Sequence, residues 1–455
     1  WGFDIKGING YNVTPTYAQD LFVTDKMNVM RVPIWGTDDR PAHPAAGVVD
    51  GSHYADQLYA MTNARAANSN VIFFASKKLR GTSSFPAWTK DFSGVIASQY
   101  AILLADYLEY IYTNGGFTIE VLGIDNERYF NEGNITPSVY NSTINALRSL
   151  AVSRGFPLPK QFIGPENYYP DTPWLSSYLS SGGATNLDIV GTHYYPSMRG
   201  TFLSSLQTLV SLGGARPAWH SEVHWDNNIG DVIDNGEASL ATVFDCTDTG
   251  MSRFIWWAYT RNGVKGQIEQ AFSASTAETR PVTVTTPDND GSTVTLGTLF
   301  ARGFRSGTNM VVWVLNNTSN AYANCKLNVS GGSVTGSATL TSWDAFGATV
   351  SVTNAASATN FVVSFGPRTI NQIQFSTAAP QPPAPVLSNA GVSGGTTFQF
   401  TVNGSPNVNY TVLGSTNLVN WSVLFTTNPP VMPVTLGVPF SGTNRQQFFR
   451  LQVEP

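Results

Sequence analysis

The sequence predicts an α/β protein in which a (β/α)8 barrel of the TIM type is followed by a β-sandwich and a small C-terminal all-β domain. From residue 1 to about residue 257, short β-branched or apolar runs alternate with longer segments of helical period, as in repeated βα units. Eight such units in about 260 residues favour a closed barrel over an open doubly wound sheet. After about Ser275 the chain changes to short Val- and Thr-rich runs, separated by Gly, Asn, Ser and Asp, which indicate a sandwich.

The barrel elements follow from this alternation. The predicted strands are Phe3–Ile8, Val29–Ile34, Val71–Ala75, Ile119–Asn126, Gln161–Pro165, Ile189–His193, Ala218–Val223 and Arg253–Trp257. The predicted helices are Tyr54–Ala67, Ile96–Tyr112, Pro137–Arg154, Trp174–Ser181, Phe202–Leu212 and Ala238–Thr249. No Gly-rich phosphate-binding fingerprint follows the first strand, which weakens the nucleotide-binding alternative.

The changes of texture predict four segments, namely a barrel over residues 1–275, a sandwich over 276–375, a linker over 376–386 and a third β domain over 387–455. The predicted sandwich strands are Met310–Asn316, Cys325–Val329, Ala338–Asp344 and Asn360–Phe365. The linker reads STAAPQPPAPV, and its prolines predict an extended, semi-rigid segment. The last domain has predicted strands at Thr397–Val402, Asn409–Gly414 and Gln446–Leu451, and its short length predicts a marginal core.

Composition excludes several classes of partner. Only 12% of the residues are charged and the formal net charge is −5, which argues against a nucleic-acid or membrane-surface binder. No apolar stretch is long enough to span a bilayer. The polar, weakly charged composition and an opening on WGFDIKG without a starter Met predict a secreted protein whose signal peptide has been removed. Cys246 and Cys325 show no metal-binding spacing, so a disulfide and two buried thiols are both open.

Two glutamates stand where a barrel enzyme carries its catalytic groups, at the C-terminal ends of strands. Glu127 ends predicted strand four directly after Asn126, and Glu222 ends predicted strand seven. Cleavage of a glycosidic bond needs a proton donor at the leaving oxygen and a carboxylate at the anomeric carbon. Glu132 lies in a Gly- and Asn-rich loop and is the weaker candidate for the acid. The structural alternative for Glu222 is an ion pair with Arg216 or Arg253.

The Asn126-Glu127 pair and Glu222 resemble the pattern of clan A of the retaining glycoside hydrolases. The run from Ser84 to Lys90 and the trailing sandwich are similar to family thirty, which includes glucuronoxylanases and glucosylceramidases. The segments Ile163–Glu166, Thr192–Tyr195 and Ala218–Glu222 are similar to the heparanase-like glucuronidases of family seventy-nine. Agarase-like and xylosidase-like members of the clan stay open as well. Arg128 stands where many clan members carry Pro, so the resemblance reaches the clan and leaves the family unsettled.

The resemblance implies roles for individual residues. Glu127 would be the acid/base and Glu222 the nucleophile, while Asn126 would hydrogen-bond the 2-hydroxyl of the sugar. Tyr195 or His193 would orient Glu222, Arg31 would pair with it, and Trp257 would form the floor under the cleaved sugar. The remaining predicted substrate-binding residues are Lys77, Lys78, Trp88, Glu166 and His224. For Glu166, at the end of predicted strand five, a salt bridge is the equally good structural alternative.

A basic run and the histidines are the remaining candidates for binding an anionic sugar or a metal. Lys77, Lys78 and Arg80 form a basic run after predicted strand three, which is either solvated surface or a contact for an anionic sugar. All the histidines lie at or beyond strand ends, namely His43, His53, His193, His220 and His224. No HExxH or other compact ligand spacing occurs, so the sequence predicts neither a catalytic metal nor a cofactor.

The best hypothesis is a retaining β-glycoside hydrolase that cleaves a β-linked, possibly anionic, polysaccharide by double displacement. The alternative is a non-catalytic barrel that binds carbohydrate, and a lyase or transglycosylase is a third hypothesis. The predicted partner is a polysaccharide or oligosaccharide, with no nucleic acid, and the chain is predicted to be a monomer. The C-terminal domain is similar to small β modules at the ends of large secreted bacterial proteins, and its aromatic residues fit a core better than a sugar platform.

Overall fold

The structure is a computed structural model that describes most of the chain. The described residues are 1–5, 12–36, 40–78, 85–127, 135–181, 184–225, 231–284, 299–330, 332–378, 385–439 and 446–453.

Eight parallel strands form a closed barrel, which confirms the predicted fold class. In chain order they are β1 (Gly2–Asp4), β2 (Val29–Ile34), β3 (Ile72–Lys77), β4 (Val121–Gly123), β5 (Gln161–Asn167), β6 (Ile189–His193), β7 (Ala218–His224) and β8 (Arg253–Trp257). Closure comes from the first and last strands, where Gly2 pairs with Ile255 and Asp4 with Trp257. The carboxyl ends of all eight strands therefore meet at one mouth.

Helices follow the strands around the outside of the barrel. They are α1 (Pro15–Gln19), α2 (Ala55–Ala67), α3 (Ala97–Gly115), α4 (Pro137–Arg154), α5 (Thr172–Ser180), α6 (Leu203–Gly213), α7 (Val232–Asp248) and α8 (Gly263–Thr276). The prediction missed α1 and α8. For α1 the signal is present, because Thr14 caps the first turn and Pro15 follows it. Short helical turns also occur at Asp20–Thr24, Gly51–Tyr54, Ala87–Thr89, Ala184–Asn186 and Pro196–Met198, and a hairpin joins Lys90–Asp91 to Gly94–Val95.

The barrel interior is apolar at its lower level and polar at its mouth. The apolar cluster consists of Val29, Phe74, Val121, Ile163, Ile189, Trp219 and Ile255, with Ile72 packed against it. Side chains alternate along a strand, so the next inward position on β2 after Val29 is Arg31, and on β3 it is Ser76 after Phe74. The polar layer therefore lies directly above a dry floor.

Two strands carry register shifts just below the mouth. Trp219 and Glu222 on β7 both lie inside the barrel although three positions separate them, which an even pleat does not allow. The pairing of β6 with β7 shifts at this level, where Thr192 pairs with His220 and His193 pairs with Glu222. A β-bulge re-aims a side chain in this way. The same spacing separates Ile163 from Glu166 on β5, where the pairing with β6 also shifts.

Antiparallel sheets follow the barrel, as predicted for a sandwich. A six-stranded sheet has the spatial order β9 (Arg280–Val282), β10 (Phe300–Ser306), β11 (Asn309–Asn316), β16 (Thr369–Thr377), β13 (Val334–Asp344) and β14 (Gly347–Asn354). A two-stranded sheet joins β12 (Tyr322–Asn328) to β15 (Asn360–Phe365). Most of the six-stranded sheet belongs to one compact unit with the barrel, made of residues 1–326, 338–353 and 362–375.

A shared aromatic core holds that first unit together. The ring of Phe272 on α8 lies 4.9 Å from the ring of Trp313 on β11. Phe244 on α7 meets Phe300 on β10 edge to face at 5.1 Å. All four residues are buried in the same hydrophobic cluster, so the outer helices and the sheet are stabilised by one core.

The second unit contains residues 327–337, 354–361 and 376–455. Its C-terminal part has two three-stranded sheets, whose strands are β17 (Val386–Ser393), β18 (Thr397–Asn403), β19 (Tyr410–Ser415), β20 (Ser422–Thr427), β21 (Val434–Pro439) and β22 (Phe448–Val453). Phe400, Val402, Tyr410 and Val412 lie in its small core. The domain boundaries at residues 275, 375 and 386 stay predictions.

Two further expectations meet the structure here. Cys246 is buried in α7 and Cys325 is half-buried in β12, and the two sulfurs form no disulfide. Both cysteines are therefore thiols, but only Cys246 is fully buried, as the alternative of two buried thiols expected. Among the described residues, no helix is both long and apolar enough to cross a bilayer.

Glu237 on α7 generates a prediction about stability. The residue is 4% exposed, and neither carboxyl oxygen has a hydrogen-bond partner within the described part of the chain. Burial, and to a lesser degree Asp234, raises the pKa of Glu237 from 4.5 to about 9. Because the folded pKa lies above the unfolded one, the protonated carboxyl favours the folded state at low pH, and this contribution is lost as the pH rises towards 9.

The variant Glu237→Gln cannot ionise, so its stability relative to the wild type should increase between pH 5 and pH 8, by about 1–4 kcal/mol. Urea unfolding at the two pH values measures this difference. The exposed Glu278→Gln is the control and should leave the pH dependence unchanged. A Glu237→Gln protein with the pH dependence of the wild type would contradict the prediction.

Candidate active site

Arg31 on β2 lies at the centre of the barrel mouth and is fully buried. Its Nη1 donates to Asp4 Oδ2 at 2.9 Å and to Glu222 Oε1, and its Nη2 donates to Glu166 Oε1 at 2.8 Å. The same Nη2 also lies 3.0 Å from Ser76 Oγ and 3.1 Å from Asn126 Oδ1. One guanidinium therefore contacts groups from five other segments of the barrel. Glu222, the partner that the resemblance implies for Arg31, is one of them.

The charges around Arg31 do not balance by themselves. Three carboxylates contact one guanidinium, and all three are almost completely buried. Burial disfavours the charged form of Arg31, but Glu166, Glu222 and Asp4 together raise the pKa of its guanidinium above its ordinary value. The arginine is charged at every accessible pH, and it offsets part of the cost of burying carboxylates at the barrel mouth.

Glu127 follows β4 and faces Glu222 across the mouth. Its backbone has a φ of +50°, and its N–H donates to the carbonyl of Glu166 at 3.0 Å. This left-handed conformation is uncommon for a residue other than glycine and often marks a functional position. The residue is 8% exposed, and its carboxyl group is the more accessible one of the pair.

Tyr195 and His193 bridge the two glutamates. The Tyr195 hydroxyl lies 2.7 Å from Glu127 Oε1 and 2.8 Å from Glu222 Oε2. His193 Nδ1 lies 3.0 Å from Glu127 Oε1, 3.1 Å from the Tyr195 hydroxyl and 3.5 Å from Glu222 Oε2. A phenol has one proton, so Tyr195 can donate to only one of the two carboxylates at a time.

The surroundings shift the ionisation of these groups in known directions. Burial raises the pKa of Glu127, but the hydrogen bond and charge of His193 outweigh it, so the pKa of Glu127 lies below its ordinary value. Burial raises the pKa of Tyr195 well above its ordinary value, and both glutamates add to this. Burial also lowers the pKa of His220 to about 3, so this imidazole is neutral behind the pair.

The outer wall of the site contains aromatic residues. Trp257 ends β8 and is half-buried, and the ring of His224 meets the ring of Tyr195 edge to face at 5.5 Å. The Lys78 ammonium lies 5.9 Å from the ring centre of Trp257 and 5.8 Å from that of Trp35. Lys78 therefore lies close to two aromatic side chains of the mouth, and its role as a substrate-binding residue stays a prediction.

Two predicted substrate residues lie in other surroundings. Lys77 is 3% exposed, with its ammonium 4.2 Å from the ring centre of Phe85, so it is not the solvated rim residue that the basic run suggested. Trp88 is half-buried and donates its indole N–H to the carbonyl of His43 at 2.9 Å. The Trp88 side chain is therefore tied to the segment of His43, and Arg80 lies outside the described residues.

The same cluster offers a set of metal ligands. One ligand atom each from Glu127, His193 and Glu222 lie within 4.8 Å of one another. Two carboxylates and an imidazole are ligands that Zn²⁺ accepts. A cation there would compete with the guanidinium of Arg31 for Glu222.

Sequence reasoning missed three residues of the site. Asp4 and Ser76 both contact Arg31. Ser76 directly follows the predicted strand Val71–Ala75, so the rule that led to Glu127 could have found it, whereas Asp4 lies near the start of the predicted strand Phe3–Ile8. Gly123 was also missed. A Cβ added at Gly123 would overlap Glu166 Oε2, so only glycine at this position leaves room for the buried carboxylate.

The architecture is similar to that of several solved structures. A GH30 endoxylanase from Clostridium papyrosolvens C71 matches over 82% of this chain and 95% of its own, with 18% identity and a TM-score of 0.61. A family 30 subfamily 8 xylanase from Clostridium acetobutylicum matches over 82% and 95%, with 16% identity and a TM-score of 0.59. The catalytic domain of GH30 xylanase C from Talaromyces cellulolyticus matches over 83% and 96%, with 17% identity and a TM-score of 0.58.

No protein-family model and no curated protein sequence matches the chain. At identities below 20%, the structural likeness establishes a common fold, namely a barrel with trailing β-sheets. It agrees with the resemblance to clan A and to family thirty seen in the sequence.

Gly123 generates a prediction for the site. In Gly123→Ala the new methyl group must displace the Glu166 carboxylate, which loosens the contacts of Arg31. We expect a loss of about 1–3 kcal/mol in the free energy of unfolding, measured by urea denaturation. The control is Gly391→Ala, where the added methyl group meets nothing within 4 Å, and it should cost less than about 0.5 kcal/mol. Equal stability of the two variants would refute this account of Gly123.

Proposed function

We propose that this protein is a glycoside hydrolase that cleaves a β-linked polysaccharide by double displacement with retention of configuration. The observation that carries the proposal is the facing pair of glutamates at the ends of the fourth and seventh barrel strands. A carboxyl oxygen of Glu127 lies within 4.8 Å of a carboxyl oxygen of Glu222. Retaining glycosidases hold their carboxyl groups about 5–5.5 Å apart, whereas inverting ones need roughly 6.5–9.5 Å for an intervening water. The short separation supports retention.

Glu222 is the proposed nucleophile. Arg31 and Tyr195 contact its two carboxyl oxygens, which favours the ionised form and fixes the direction of the carboxylate. Attack of Glu222 on the anomeric carbon forms a glycosyl ester and breaks the bond to the leaving oxygen. The ester removes the negative charge of Glu222, so its attraction to Arg31 weakens as the intermediate forms.

Glu127 is the proposed acid and then base. Its carboxyl group and His193 Nδ1 are 3.0 Å apart, so a proton can pass between them, and the pair can deliver it to the leaving oxygen. In the second step Glu127 takes a proton from water, the hydroxide oxygen attacks the anomeric carbon, and Glu222 leaves as a carboxylate. The lowered pKa of Glu127 keeps its carboxylate ionised in the free protein, the form that the second step needs, and a bound sugar that excludes water favours the protonated form for the first.

Other observations support the class of substrate. Three of the similar solved structures are xylanases, which supports a polysaccharide as the substrate. The flat ring of Trp257 at the mouth suits the apolar face of a pyranose. A chain with only 12% charged residues suits a secreted enzyme that works on extracellular polysaccharide.

We further propose that Lys78 favours an anionic sugar. Its ammonium lies 5.9 Å from the ring centre of Trp257, and both residues lie at the carboxyl ends of barrel strands, as the two glutamates do. A cation held among aromatic rings is less hydrated than one at an open surface, which strengthens its interaction with a uronate or sulfate group. Lys77 is buried against Phe85 and takes no part in this proposal.

The main test replaces the two glutamates. We expect Glu127→Gln and Glu222→Gln each to lower kcat on the preferred polysaccharide by at least about a hundred-fold, because each removes a proton carrier or a nucleophile. Thermal melting measures whether each variant remains folded. The matched control is Glu109→Gln on α3, whose carboxylate pairs with Arg154 outside the barrel. Near-normal activity of either active-site variant would overturn the assignment.

Proton NMR of the first product of the wild-type enzyme, recorded before mutarotation, tests the stereochemistry of the reaction. The β anomer of the new reducing end is the expected signal. An α anomer as the first product would overturn the retaining mechanism.

The anionic preference predicts a selective effect of Lys78→Met. We expect KM to increase about tenfold on a uronate-bearing polysaccharide and to change less than about twofold after its carboxylates are reduced to alcohols. Initial rates at low and high salt complete the measurement, because added salt screens the contact in the wild type. Lys326→Met, at an exposed position on β12, is the control. Equal effects on both polymers would exclude the proposed contact.

A further inference from the structure

The turn after β6 carries Tyr195 and is held from outside the site. Tyr195 is followed by the helical turn Pro196–Met198 and then by Arg199. The N–H of Met198 donates to the carbonyl of Tyr195 at 2.9 Å, so the turn fixes the backbone of Tyr195. The side chains of Tyr194 and Arg199 flank this turn and lead away from the barrel mouth.

Both flanking side chains meet Asp245 on α7. Arg199 donates from Nε to Asp245 Oδ2 at 2.7 Å and from Nη2 to Oδ1 at 3.2 Å, a two-point contact. The hydroxyl of Tyr194 lies 3.4 Å from the same Oδ2. Asp245 is 6% exposed and Tyr194 is fully buried, so these contacts form away from water, where a charged hydrogen bond is strong. The carboxylate of Asp245 thus contacts Tyr194 before the turn and Arg199 after it.

The six-stranded sheet also contacts Arg199. The Arg199 guanidinium lies 5.6 Å from the ring centre of Phe300 on β10, and the Arg302 guanidinium lies 4.5 Å from the same ring. Arg302 in turn forms a two-point contact with Asp248, three residues after Asp245 on α7. The two Asp–Arg pairs are alike in chemistry, but only the first one touches the turn that carries Tyr195.

We propose that Asp245, Arg199 and Tyr194 form a positioning cluster that holds the Tyr195 hydroxyl between Glu127 and Glu222. The inference rests on the proposed function for its catalytic consequence. The hydroxyl makes two contacts of nearly equal length, so a small displacement favours one glutamate over the other. The cluster thereby sets which of the two carboxylates accepts the hydrogen bond from Tyr195, and β10 contributes through Phe300.

The ionisation of the pair depends on every charged or titratable group that faces it. These groups come from the barrel strands and the segments that follow them, and they are Asp4, Arg31, Glu166, His193, Tyr195, His220 and His224. Asp245 is not among them, because it contacts the outer side of the turn. A change at Asp245 therefore reaches the glutamates through the position of Tyr195.

The test uses Asp245→Asn, which keeps the size of the side chain and removes its charge. We expect kcat to decrease by about ten- to a hundred-fold while KM changes less than about twofold, because the lost feature is alignment. We also expect at least one limb of the pH–rate profile to move by about one pH unit. Asp248→Asn is the matched control, since it breaks the neighbouring Asp–Arg pair and should leave the profile unchanged.

A double-mutant cycle separates positioning from general damage to the fold. In a Tyr195→Phe background there is no hydroxyl to position, so Asp245→Asn should have little further effect on kcat or on the pH profile. If Asp245→Asn has the same effect in both backgrounds, or none in the wild-type background, the proposal is wrong. If Asp245→Asn fails to fold, Tyr194→Phe and Arg199→Lys replace it in the same cycle and are judged by the same outcomes.

A measurement that does not need turnover distinguishes this proposal from the proposed function. Carboxyl NMR of protein labelled with ¹³C-glutamate, assigned with Glu127→Gln and Glu222→Gln, follows the titration of the pair directly. Asp245→Asn should shift that titration and Asp248→Asn should not. A shift in a protein without glycosidase activity would leave the positioning cluster standing and reject the enzyme. An unshifted titration in an active enzyme would reject the cluster alone.

Discussion

The burial of one guanidinium governs the mouth of this barrel. Arg31 has no access to water, and such a charge is tolerated only when carboxylates and other acceptors surround it. Asp4, Glu166 and Glu222 meet that need from three different strands, and each of them is in turn tolerated because Arg31 is there. The arrangement leaves Glu222 held at the oxygen that faces Arg31, with its other oxygen turned towards Tyr195 and Glu127. The contacts that compensate the buried charge of Arg31 thus also position the proposed nucleophile Glu222.

Much of the fold follows from local patterns, and those patterns also locate the two glutamates. β2, β6 and β8 match their predicted bounds because each of these runs begins directly after a polar residue, namely Asn28, Asp188 and Ser252. The ends of β4 and β7 led to Glu127 and Glu222 because parallel strands in a closed barrel share one functional end. Neither conclusion needed tertiary information.

The direction and burial of individual side chains could not be predicted from the sequence. An even pleat puts Trp219 and Glu222 on opposite faces of β7, and the register shift that places both inside depends on pairing with β6. The burial of Lys77 depends on Phe85, which follows a segment that sequence patterns treat only as a loop. The contact of Asp245 with Arg199 joins a helix to a turn that lie 46 positions apart. These features come from packing between distant segments, and a single sequence carries no local mark of them.

The separation of Arg31 from its partners along the chain also constrains how the protein is made. Asp4 is 27 positions away, whereas Glu166 and Glu222 are 135 and 191 positions away. During synthesis, the first half of the barrel therefore emerges with a guanidinium that cannot yet be buried at acceptable cost. Closure waits for the last strands, since β1 pairs with β8. Such a chain is dominated by long-range contacts, so it folds slowly and exposes apolar strands while it does so. The constraint that orders the finished mouth is thus a reason for the cell to protect the nascent chain until the eighth strand has been made.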